Sequence, residues 1–82
     1  MVQPENSKTS LKKRSFALSG HRTSVALEPE FWTVLETNAR EQGLALAALV
    51  GRVDAGRGSR NLASALRLHA LACASPGIRA PD

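Results

Sequence analysis

The run Arg22-Thr23-Ser24-Val25-Ala26-Leu27 alternates between two faces, with Thr23, Val25 and Leu27 on one and Arg22, Ser24 and Ala26 on the other. That period of two, with β-branched Thr23 and Val25 on the apolar side, predicts a short half-buried strand. A weaker alternation, Ser15-Phe16-Ala17-Leu18, precedes it and is broken by Ser19-Gly20. At Glu28-Pro29-Glu30 the period changes. Proline is tolerated in the first helical turn, and Glu30 brings negative charge to the positive end of the helix dipole. Phe31, Val34, Leu35 and Ala39 then recur at helical spacing, and Glu36 stands four before Arg40, a mildly stabilising pair. Gly43 is the terminator, so a first helix is predicted over Pro29–Gln42.

A second helix opens after Gly43-Leu44, where Leu46, Leu49, Val50 and Val53 stand at i, i+3, i+4 and i+7. It stops near Ala55, because Gly56-Arg57-Gly58-Ser59-Arg60 is turn material. Asn61 can cap a third helix over Leu62 to Cys73. Leu62, Leu66, Leu68 and Leu71 do not share one face, and a helix apolar nearly all round wants partners on more than one side.

The order is thus strand, helix, helix, helix: a mostly α chain with one short β-strand. One strand cannot form a sheet alone. It pairs either with Phe16-Ala17-Leu18, through a hairpin at Ser19-Gly20, or with its copy in a second chain. Size favours the second arrangement. With 82 residues the chain buries a limited share of its surface, and small folds compensate with disulfides, a metal or association. Cys73 is the single cysteine, and His21 and His69 stand apart from any cluster of carboxylates, so disulfides and zinc are both disfavoured. An intermolecular two-stranded ribbon supplies the association.

Charge narrows the partner. Eleven Lys and Arg face seven Asp and Glu, for a net charge of +4. Before Ser24 lie Lys8, Lys12, Lys13, Arg14 and Arg22, opposed only by Glu5. A nucleic acid or another anionic surface fits this balance. No stretch is apolar and long enough to cross a bilayer, and the N-terminus lacks the apolar block of a secretory signal. With a single cysteine, a cytoplasmic location is expected. Three segments follow: a disordered tail over 1–11, a folded domain over 12–74 and a flexible tail over 75–82.

The segment from His21 to Ala55, with its basic-led strand, acidic helix start, Gly43-Leu44 turn and stripe of Leu46, Leu49, Val50 and Val53, resembles the ribbon-helix-helix DNA-binding family. The longer stretch Lys13–Ala72 looks like a compact bacterial subgroup of it. The resemblance implies an intertwined homodimer whose two strands pair antiparallel and enter the major groove, which admits such a ribbon. It implies base contacts from the outward residues Arg22, Ser24 and Ala26. Arg22 can grip guanine in bidentate fashion, Ser24 is permissive, and Ala26 offers only apolar contact. It further implies a phosphate held at the start of the second helix, at Leu44, Ala45, Leu46 and Ala47, by main-chain N–H groups. Ala45 and Ala47 stand where relatives carry a capping Ser or Thr, which costs about 1 kcal/mol. Lys12, Lys13 and Arg14 are expected to add phosphate contacts. The implied dimer core is Val25, Leu27, Phe31, Trp32, Leu35, Leu46, Leu49, Val50 and Val53.

An enzyme is disfavoured, since the chain lacks a phosphate-cradling Gly-rich loop, a nucleophile beside a base, and paired carboxylates at a useful spacing. No cofactor is expected. The readings that remain are a sequence-specific repressor, an antitoxin that binds a protein partner through the C-terminal helix, and a nucleoid-type binder of low specificity.

Overall fold

The computed structural model describes residues 11–74, so the expected tails lie outside the described residues, Leu11 apart. Two strands, β1 (Lys12–Leu18) and β2 (His21–Leu27), precede three helices, α1 (Pro29–Glu41), α2 (Leu46–Gly56) and α3 (Leu62–Ala74). The expectation of one strand completed by a second chain is corrected here. β2 pairs antiparallel with β1 of its own chain, in a register that runs from Lys12 opposite Leu27 to Leu18 opposite His21.

The physical reason lies in the turn and in the inner face of β1. Ser19 and Gly20 both have positive φ, 51° and 82°, the backbone that a two-residue type I′ hairpin requires. Serine adopts that backbone at a cost of roughly 1 kcal/mol. Burial of Phe16 and Leu18 beside Val25 and Leu27 offsets it, at about 1.5–3 kcal/mol per large apolar side chain. A two-residue loop also closes at far less entropic cost than bringing two chains together.

Beneath the ribbon, α1 buries Trp32, Leu35 and Ala39, α2 buries Leu49 and Val50, and α3 buries Leu62, Ala65, Leu66 and Ala70. With the four ribbon residues, all of these but Ala65 make one core, against which Phe31, Val34, Leu44, Leu46 and Val53 pack half-buried. The nine residues expected to form a dimer core are therefore buried or half-buried within a single chain. The buried stripe of α1 begins at Trp32 rather than Phe31. Glu36, expected to pair with Arg40 on its own helix, instead accepts a hydrogen bond from Arg14 of β1. Asn61 caps α3 as its type predicts, its Oδ1 accepting from the Ser64 amide at 2.8 Å.

Arg67 of α3 clamps the residue that joins ribbon to helices. Its Nε donates to Glu28 Oε1 at 3.0 Å and its terminal nitrogen to Oε2 at 3.4 Å, while the guanidinium stands 5.9 Å from the Phe31 ring centre. The hydrogen bond from Arg67, helped by a main-chain one, holds the Glu28 carboxyl below its usual value of 4.5. A carboxyl whose pKa is lowered on folding adds stability above its unfolded pKa and loses it as pH falls through the folded one. The Arg67→Gln chain is therefore expected to show a weaker loss of stability on acidification than the parent. Urea unfolding at a series of acidic pH values measures this, and identical pH profiles would disprove the clamp.

Candidate nucleic-acid interface

The strand period decides what the ribbon shows to solvent. In β2, Val25 and Leu27 point into the core while Arg22 and Ser24 are exposed and Ala26 is half-buried. In β1, Phe16 and Leu18 point inward, and Lys13, Ser15 and Ala17 are exposed on the same outer side. The register sets Lys13 opposite Ala26, Ser15 opposite Ser24 and Ala17 opposite Arg22. At the centre the two serine hydroxyls share one hydrogen bond of 2.9 Å. This leaves a second hydroxyl hydrogen and acceptor lone pairs facing outward.

The outer face is thus a shallow strip of small and hydroxyl side chains with one long cation towards each end. Lys12, Lys13 and Arg22 have no carboxylate partner among the described residues. Arg14 differs. It points inward, bonds Glu36 and lies over the Trp32 ring at 5.1 Å, so its charge is partly neutralised and its role in the fold is to tie β1 to α1. Trp32 adds a second tie, its indole N–H donating to the Lys12 carbonyl at 2.8 Å. His21 is exposed beside the hairpin turn.

The proposed phosphate anchor lies at the start of α2. Ala45 is the N-cap, with extended backbone and no side-chain cap, and the helix begins at Leu46. Ala45 and Ala47 are exposed and Leu46 half-buried, so their amides face an anion's approach. The expected donor Leu44 is not available, because its amide already donates to the Ala39 carbonyl at 2.8 Å in the turn that ends α1. α2 meets β1 near the hairpin turn, where a methyl group added at Gly51 would stand 4.0 Å from Leu18 Cδ2.

Among the described residues no group of three or more His, Cys, Asp or Glu is placed to hold a metal ion. His69 Nε2 lies 2.9 Å from Asn38 Oδ1 and 3.5 Å from Cys73 Sγ, an arrangement that joins α3 to α1. No helix of the described residues is long and apolar enough to cross a membrane.

A two-stranded ribbon over a helical layer, with a basic outer face, is the architecture of a known class. The family model of the ribbon-helix-helix domain matches residues 11–74. The chain belongs to that family. No curated protein and no solved structure matches it significantly. Membership in the ribbon-helix-helix family carries the expectation of a dimeric DNA-binding regulator. Of the base-contact residues read from the sequence, Arg22, Ser24 and Ala26 do share one outer face. Sequence reasoning missed Ser15 and Ala17 on that face and set Lys13 apart from it. A signal was present: Lys13–Leu18 (KRSFAL) and Arg22–Leu27 (RTSVAL) form a near repeat with Ser, Ala and Leu in common.

Proposed function

We propose that the chain is a sequence-specific DNA-binding regulator, a cytoplasmic repressor acting as a homodimer, which lays its ribbon in the major groove of double-stranded DNA. One observation carries the reading: the outer face of the ribbon holds Lys13, Ser15, Arg22 and Ser24 with no carboxylate among them. Such a face suits a groove floor of donors and acceptors between two rows of phosphates. Arg22 and Ser24 contact base edges, and Ala26 contacts a thymine methyl. Lys12, with the amides of Ala45 and Leu46, contacts phosphates, whereas the Leu44 amide is taken by the Ala39 carbonyl at 2.8 Å. No catalytic step and no cofactor is part of this reading.

The ratio of affinities for a duplex selected by the chain from a random pool and for an unrelated one, followed between 50 and 200 mM salt, tests it. A regulator of this type keeps a preference of about a thousandfold or more at physiological salt, while both affinities fall as counterions are released. Equal loss on every sequence would mark a nucleoid-type binder. Sedimentation of the free chain at the mass of two copies is expected alongside.

The antitoxin reading has one observation in its favour. Leu68 and Leu71 of α3 are 46% and 52% exposed, on the side of the helix turned away from the core. A stoichiometric protein partner lost from the Leu68→Ser, Leu71→Ser chain would favour it.

A further inference from the structure

The repeat and the hairpin register have the same centre. The repeat relates each residue of Lys13–Leu18 to the one nine positions later, Ser15 to Ser24 among them. The register pairs Ser15 with Ser24 as well. An antiparallel pair has a local two-fold axis between its strands, and here that axis passes between the two serines. It exchanges Lys13 with Arg22, Ala17 with Ala26, Phe16 with Val25 and Leu18 with Leu27. Burial obeys the same operation. Position by position the two strands are equally exposed or buried, with Ala17 against Ala26 the one difference.

From this we propose that a single hairpin carries both halves of a pseudo-two-fold DNA-reading face, in which Lys13 is a base-contacting residue equivalent to Arg22. The inference rests on the DNA-binding reading above and moves Lys13 from the phosphates to the groove floor. The two cations stand in rows four residues apart along the ribbon. At roughly 3.4 Å per residue that is about 14 Å, or about four base-pair steps at 3.4 Å each. Ala17 and Ala26, each beside the cation of the other strand, leave the space into which long side chains can bend. Base pairs present equivalent edges on the two strands when read about a dyad, so a two-fold face meets the same chemistry twice. Both lysine and arginine favour guanine O6 and N7, and arginine's fixed fork discriminates better than the lysine ammonium. The face therefore selects two guanines on opposite strands, about four steps apart, the one at Arg22 more strictly.

The test is selection of bound duplexes from a random pool by the full chain and by its Lys13→Ala, Lys13→Arg and Arg22→Ala variants. Both positions are exposed, and circular dichroism checks that the fold is kept. The parent should enrich the inverted guanine pair. Lys13→Ala should lower the preference at one guanine about tenfold and Arg22→Ala at its symmetry mate, while Lys13→Arg should sharpen the weaker half. If Lys13→Ala weakened binding to all duplexes alike and left the selected motif unchanged, Lys13 would be a phosphate contact and the two-fold reading would be wrong, with DNA recognition through Arg22 intact. Enrichment of no duplex by the parent would overturn the DNA-binding reading itself, and this inference with it.

Discussion

Replacement of Trp32 by alanine is expected to lower the unfolding free energy by about 3–5 kcal/mol, the range for deletion of a large buried aromatic. A domain of this size has little more than about 5 kcal/mol to lose, so the variant should be largely unfolded at modest urea concentrations. Three contacts disappear together. The buried indole packs 5.9 Å from the Phe16 ring centre, carries the Arg14 guanidinium on its face and donates to the Lys12 carbonyl. All three join α1 to β1. Trp32→Phe separates the contributions in part, since it keeps a buried aromatic ring and removes the N–H donor with a portion of the indole. It is expected to cost about 1 kcal/mol. Equilibrium urea unfolding followed by circular dichroism measures both, and equal stability of Trp32→Ala and parent would disprove the anchoring role.

The second large effect concerns α3. Leu66 is fully buried where α3 packs across the other helices and the ribbon. Leu66→Ala should cost about 2–5 kcal/mol, the spread reflecting how far the site can collapse around the void. Under conditions where the variant remains folded, its DNA affinity should match the parent, because Leu66 lies within the core and not on the outer face of the ribbon. Together the two outcomes assign α3 to the core of the single chain. A Leu66→Ala protein as stable as the parent would instead place α3 outside the cooperative unit.

What could be read from the residues followed from how local the deciding physics was. The alternation in β2 and the helical spacing in α1 and α2 report burial directly, and Asn61 declares its cap by type. β1 was hidden because only Phe16 and Leu18 of its inner face are apolar. The third inward residue, Arg14, carries a charge that becomes tolerable only against Glu36 and Trp32, distant in sequence. Lys12, Lys13 and Arg14 therefore resembled a solvated arm. Adjacent Phe31 and Trp32 left the rotation of α1 ambiguous by one position, and only the tertiary hydrogen bond to Lys12 resolves it. The outer face was half legible for the same reason. Arg22, Ser24 and Ala26 follow from the β2 period, whereas Ser15 and Ala17 join them only once the Ser19-Gly20 turn has folded β1 back.

That turn also changes how the protein can diverge. Where a ribbon is made by two identical chains, each gene substitution appears twice, and any new preference is imposed on both half-sites at once. Here the strands are encoded separately, nine codons apart, and already differ at Lys13 and Arg22. On the DNA-reading role proposed above, a substitution in one strand alters one half of each ribbon and leaves the other half as it was, a freedom that a ribbon of two identical strands lacks.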